Sequence, residues 1–261
     1  MKRTVIPLFL ECDRSQVITS WLGVALFAVL ILWYGVWLCG QTALVAEQGF
    51  AISLTILVGL FLADLASGFV HWATDTWFDE TKWTRVISIA REHHIHPHHI
   101  VGYGPRDYLA YSAWPTLLFL GPIGLVLTSA VTPSAWVMHG VVILFIISVA
   151  MMFGTYAHRL GHRRSPWAVV RFLQRCHLLI DTRHHNVHHR DNHDIRYCVI
   201  NGWANAVCDR IGFWRGVEWL IHRLTGAVPR RSDHDWWARY APYSPRRGRF
   251  VIGPLESTGD D

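Results

Sequence analysis

Four stretches of this chain are too long and too apolar to be the buried stripe of an ordinary soluble helix. Val17–Cys39 ("VITSWLGVALFAVLILWYGVWLC") carries no charge, and neither does Phe50–Ala63 ("FAISLTILVGLFLA"), which continues past Asp64 as "LASGFVHW". Tyr108–Val131 and Ala135–Ala157 follow. A helix needs about twenty residues to cross a hydrocarbon core, and a core helix seldom stays apolar for so long. A large soluble α-protein is the competing reading. It fits poorly, because 51% of the residues are hydrophobic and only 16% are charged. The expected fold is an all-α integral membrane protein with four transmembrane helices, at about 17–39, 50–73, 108–131 and 135–157.

The basic residues give this arrangement a direction. All 24 Lys and Arg lie in 1–16, 72–112 and 158–261, while the connections 40–49 and 132–134 hold none. Positive charge collects on the cytosolic side, so both termini and the long middle loop are expected there. The chain then divides into a cytosolic N-terminal tail (1–16), a membrane-embedded domain (17–230) and a C-terminal tail (231–261) rich in Pro, Gly and charge. Within the domain, 158–230 forms a cytosolic, histidine-rich helical cap. The first residues read as a tail, not a cleaved signal, because their apolar stretch is short and acidic residues follow it. Pro115, Gly121, Pro122 and Gly124 predict a kink in the third span. Between residues 207 and 228, aromatic and aliphatic residues mix with Arg, which suits a helix lying in the interface or a soluble cap over a site.

The histidines cluster in that cytosolic part. "REHHIHPHHI" (91–100) and "RHHNVHHRDNH" (183–193) hold ten of the 17. His71 ends the second span, with Asp75 one turn on, and His93 and His94 are adjacent. His158 and His162 are four apart in "HRLGH", and His185, His188 and His189 fall at i, i+3 and i+4 in "HNVHH". On a helix these spacings bring imidazoles to one face, where they can converge on a metal. Zinc closes a site with four ligands, so eight imidazoles suit two metal ions that keep open positions. A loose histidine tract is the bland alternative, but such tracts lack helical spacing. Imidazole serves iron, copper, nickel and zinc alike, so the ligand type does not choose the metal.

Other motifs are absent. Cys12, Cys39, Cys176, Cys198 and Cys208 form no C-x-x-C pair, and H-E-x-x-H does not occur. Asp64 is the single acid inside an apolar run, which marks it either as a functional group or as a packing bond to a neighbouring helix.

"DLASGFVHWATDTW", "REHHIHP", "HRLGH", "RHHNVHH", "RYCVINGWAN" and "IGFWRGVEWLIHRLTGAVPR" together resemble the plasmanylethanolamine desaturase family, the Kua or CarF-type lipid desaturase domain. The plastid desaturase that makes trans-3-hexadecenoyl phosphatidylglycerol is related to it. The similarity runs from about Asp64 to Arg230. It implies an oxygen-dependent membrane desaturase with two iron ions and O2 as co-substrate. By position the family's histidines fall on His71, His93, His94, His158, His162, His185, His188 and His189. Asp75 matches the family's acid after the first histidine, and Asn205 a family asparagine near one iron. The chain departs at "HHIHP", where the ether-lipid branch has "HHIDP", so His96 stands in place of an acid as a possible ligand. Tyr103 takes the slot of a further histidine of that branch, whereas His177 and His193 match it.

Removing two hydrogens from an alkyl chain is beyond side-chain acid–base chemistry, so the hard step belongs to a metal–oxygen species. Asp64 and Asp75 are candidates for orienting imidazoles. Arg91, Glu92 and Arg183 are candidates for holding loops or meeting lipid phosphate. Arg163, Arg164, Arg230 and Arg231 could steer an acidic electron donor such as cytochrome b5 or ferredoxin, or serve only topology and anionic lipid. The expected partners are a phospholipid substrate, the bilayer and that donor; nucleic acid is not among them. The expected product is the vinyl ether of a plasmalogen. An acyl-chain desaturase or hydroxylase with the same centre is the alternative, and a non-catalytic membrane metal-binding module a second.

Overall fold

The computed structural model describes residues 14–77, 93–94, 97, 99–102, 105–130, 132–190 and 193–229. Among these there are helices and no strands. Four helices are long and apolar enough to cross a membrane: α1 (Arg14–Cys39), α3 (Gly49–Thr76), α4 (Pro105–Ala130) and α5 (Ala135–Met152). A short α2 (Thr42–Glu47) joins the first two. Their apolar stretches turn much of their surface outward: Leu32, Val36, Phe50 and Phe119 are all more than 60% exposed. In water such a surface would be a liability, and against lipid tails it is the natural contact. The protein is a multi-pass membrane protein.

α3 packs on α5 and α1 on α4, while α4 and α5 close the bundle between them. Close approach is made where a small residue faces a large one. At Gly124 a side chain would overlap the Tyr34 ring, which is fully buried in the contact of α1 with α4 and α5. Ser134 caps α5 by accepting from the Val137 N–H.

Three boundaries differ from the sequence expectation. The third span starts earlier than expected, running from Pro105 to Ala130 with both Pro115 and Pro122 inside it. Inside a packed membrane bundle, neighbouring helices compensate the missing donors. The fourth span ends at Met152 instead of Ala157. Phe153 leaves helical geometry (φ −94°, ψ 1°), and Gly154 starts a separate helix, α6 (Gly154–His162). The expected interfacial segment is two helices, α9 (Trp203–Arg210) and α10 (Phe213–Thr225), divided where Gly212 takes a left-handed φ of 64°. Gly226, at φ 73°, ends α10 by the same device.

The cap consists of α6, α7 (Ala168–Arg175), α8 (Thr182–Arg190), α9 and α10. α6 packs on α8, and α9 on the end of α3. Trp72, Tyr197, Cys198, Ala204, Cys208 and Trp214 form the apolar joint between α3 and the cap. The outer face of α10 stays apolar, with Trp219 and Leu224 exposed beside Arg223.

Candidate metal centre

Three helices and the segment between α3 and α4 aim imidazoles into the same space. α3 contributes His71 and, one turn later, Asp75; α6 contributes His158 and His162; α8 contributes His185, His188 and His189. His93 and His94 enter from the segment between α3 and α4. Asp181 accepts the His184 N–H at 2.7 Å and so fixes the start of α8. Gly161 lies between the α6 histidines, and a Cβ there would stand 3.1 Å from the His185 Cβ. That glycine lets α6 and α8 approach closely enough for their rings to meet.

The donor atoms sort into two groups. His93, His158, His162, His185 and His189 form one; His71, Asp75, His94 and His188 form the other. Within each group one donor atom per residue lies within 4.8 Å of all the others. Metal–nitrogen bonds of about 2.1 Å put opposite donors about 4 Å apart, so each group has the dimensions of one ion's donor set. The groups are neighbours: His71 and His158, one from each, have ring centroids 5.0 Å apart. Adjacent residues serve opposite groups at His93 and His94, and again at His188 and His189.

In the four-member group, main-chain carbonyls fix two of the imidazole tautomers. His188 Nδ1 donates to the Ile195 carbonyl at 2.7 Å, and His71 Nδ1 donates to the Tyr197 carbonyl at 2.9 Å. A carbonyl only accepts, so both Nδ1 atoms carry the proton and both Nε2 atoms present bare lone pairs. Those lone pairs face the carboxylate of Asp75, whose Oδ2 stands 3.4 Å from His71 Nε2 and 3.7 Å from His188 Nε2. His94 Nε2 lies 3.4 Å from the same oxygen. Buried acceptors aimed at one another repel; a cation among them turns the arrangement into a ligand set.

In the five-member group, Nε2 atoms meet Nε2 atoms: His93 with His158 at 2.9 Å, His158 with His185 at 2.8 Å, and His185 with His189 at 3.1 Å. Burial, followed by the neighbouring imidazoles, holds the His93, His158 and His185 rings far below the ordinary imidazole range. His188 and His189 are lowered for the same reasons. All five are therefore neutral at pH 7 and offer nitrogen lone pairs, the form a metal requires.

The structure thus gathers the eight histidines singled out from the sequence, together with Asp75. Asp75 is not behind the imidazoles, holding their outer N–H groups, as one expectation had it; it faces their inner nitrogens. Asp64 orients no imidazole directly. It is fully buried, and its Oδ1 accepts the N–H groups of Ile200, Asn201 and Gly202, while Oδ2 accepts that of Ala204. Asn205 likewise points into the cap backbone, bonding both the N–H and the carbonyl of Cys198, and it also bonds His184. His193 stacks on His94 with centroids 4.1 Å apart, outside both groups. His96, Arg91, Glu92, Arg230 and Arg231 lie outside the described residues.

Sequence reasoning missed the carbonyls of Ile195 and Tyr197. They sit in the irregular stretch before α9, and its "RYCVI" has no periodicity to announce a role. Left-handed backbone at His193 (φ 56°) and Arg196 (φ 59°) brackets Ile195. Such conformations cost on the order of 1–3 kcal/mol each and persist where surroundings enforce them. Here the Arg196 N–H is held by Asp209 Oδ1 at 3.2 Å.

The chain matches the family described as lipid desaturase domain over residues 60–232. It is 30% identical to the mouse plasmanylethanolamine desaturase 1 over 195 residues, covering 71% of this chain and 70% of that protein. It is 32% identical to the plasmanylethanolamine desaturase of Myxococcus xanthus over 181 residues, 68% of this chain and 63% of the relative. A probable fatty acid desaturase of Acanthamoeba polyphaga mimivirus is 29% identical over 188 residues, 70% of this chain and 88% of that one. No solved structure matches it significantly. With the match covering every residue of both donor groups, the chain belongs to the lipid desaturase family and is an oxidoreductase of the desaturase type.

Proposed function

We propose that the two donor groups hold two iron ions and that the protein is an oxygen-dependent desaturase of an ether phospholipid, forming the vinyl ether of a plasmalogen from a 1-O-alkyl ethanolamine phospholipid. The observation that carries this reading is the pair of adjacent groups, eight imidazoles and one carboxylate, at the end of a membrane-spanning helix. Desaturation needs a redox metal, which excludes zinc as the working ion, and nitrogen and oxygen donors without thiolate suit iron. His71, Asp75, His94 and His188 are proposed to hold one ion, and His93, His158, His162, His185 and His189 the other. Bound iron would supply the oxygen-dependent removal of hydrogen from the alkyl chain.

What the chain itself does is positional. His71 and Asp75 occupy the last two turns of α3, so the centre sits where a lipid's head group meets its hydrocarbon. Carbons next to the head group reach that depth, and carbons far along the chain do not. The Ile195 and Tyr197 carbonyls hold two imidazoles in one tautomer, while His93, His94, His162 and His185 are buried and His158 and His189 half-buried. His96 remains a possible additional ligand. The charge bias favours a cytosolic cap and cytosolic termini, where Arg163 and Arg164, both exposed, could meet an acidic one-electron carrier such as cytochrome b5 or ferredoxin.

The test is lipid profiling of cells that lack plasmalogens, with and without this chain. Acid-labile vinyl ethers are the expected product. The mimivirus relative's name favours a second reading, desaturation of an ester-linked acyl chain. New double bonds confined to ester-linked chains would establish that reading and end the first.

A further inference from the structure

We propose that Asp64, deep in a spanning helix and bonded to no imidazole among the described residues, is the positioning residue for the four-member donor group alone. This rests on the metal reading above and adds to it which group depends on Asp64. Its carboxylate gathers four backbone N–H groups at 3.0–3.1 Å, from Ile200, Asn201, Gly202 and Ala204. The last two belong to the entry of α9, where the helix dipole also favours an anion. One turn later on the same face of α3, the Ser67 hydroxyl accepts the Val199 N–H at 3.1 Å. Two side chains of one membrane helix thus fasten five amides between positions 199 and 204, from the irregular stretch into the first turn of α9.

That segment is also the one that aims the imidazoles. Tyr197 and Ile195 lie immediately upstream, and their carbonyls fix the tautomers of His71 and His188. Asn205 in α9 bonds both polar groups of Cys198, so the segment cannot slide without breaking those bonds. Gly68, between Ser67 and His71 on α3, lets the segment lie against the helix: a Cβ there would be 2.5 Å from Cys198 Sγ. A path of covalent bonds and hydrogen bonds therefore runs from Asp64 through 195–204 to two nitrogen donors. Toward the five-member group the segment bonds only the main chain and His184, the neighbour of His185, and not the coordinating rings: the Nδ1 atoms of His93, His185 and His189 have no hydrogen-bond partner among the described residues.

The experiment uses full-length, membrane-extracted protein titrated anaerobically with ferrous iron, with Mössbauer spectra of the loaded samples. Wild type is expected to bind two irons in distinguishable environments. In Asp64→Ala one iron keeps its affinity and its spectrum, while the other binds about 10–100-fold more weakly, the usual cost of disturbing what orients a ligand. Asp64→Asn, which keeps an acceptor for three of the four amides, falls between. Two equally tight irons in Asp64→Ala overturn the proposal, and so does parallel loss of both, which is what a general folding defect produces. Ser67→Ala guards against that defect with a milder cut in the same tether, and is expected to weaken the same iron only. Wild-type protein that binds fewer than two irons would overturn the two-iron reading itself, and the positioning role with it.

Discussion

The two donor groups share a wall of imidazoles yet are built in opposite ways. The five-member group is made largely by local geometry: two helices each place two histidines four residues apart, and His93 joins them from the segment between α3 and α4. Its rings are held by one another, edge to face at 4.4–4.5 Å for His185 with His162 and with His158. The four-member group is made by long-range contacts. His71 takes its orientation from a carbonyl 126 positions away, and Asp75 supplies the one carboxylate of either group. The first has donors to spare, and the second depends on each of its members.

That contrast orders the effects of substitution. The largest separation is expected between His188→Ala and His189→Ala. Removing His188 leaves its ion two imidazoles and a carboxylate, and turnover is expected to fall below about 1% of wild type with loss of one iron. Removing His189 leaves four imidazoles, the number that fills a tetrahedral site, and both irons are expected to remain. Equal metal loss in the two variants would erase the distinction. Asp75→Asn comes next. It removes the negative charge of the four-member group while nearly preserving shape, and is expected to weaken that ion about 10–100-fold without affecting the other. Isothermal titration of the metal-free protein would measure it.

How much of this was legible in the chain follows the same division. The spans announce themselves by length, and the i, i+3 and i+4 spacing of His185, His188 and His189 shows that those rings share a face of α8. The end of the fourth span was misjudged because Phe153 is as apolar as its neighbours, and only its backbone departs. Asp64 was visible as an anomaly, but its partners are main-chain amides at positions 200–204, and main-chain groups carry no sequence signature. For the same reason the carbonyls of Ile195 and Tyr197 could not be read from side chains.

The glycines that permit each group's close packing give a smaller test. Gly68→Ala pushes a methyl group into Cys198 Sγ, and is expected to cost about 1–3 kcal/mol in thermal or denaturant unfolding. Gly161→Ala meets His185 at 3.1 Å and can be relieved by a shift of a few tenths of an ångström. It is expected to cost less than Gly68→Ala, and the reverse order would argue that α6 and α8 are the more tightly specified pair. Smallest of all is Arg215→Ala, which removes an exposed ion pair with Asp194 at 2.9 Å. It is expected to change stability by at most about 1 kcal/mol and metal content not at all.

The most direct test of the whole account is elemental analysis of the purified, full-length protein expressed with iron available. Close to two irons per chain, falling to one in His188→Ala and staying at two in His189→Ala, is the expected result. Zinc in place of iron, or a single ion shared by all nine donors, would contradict it.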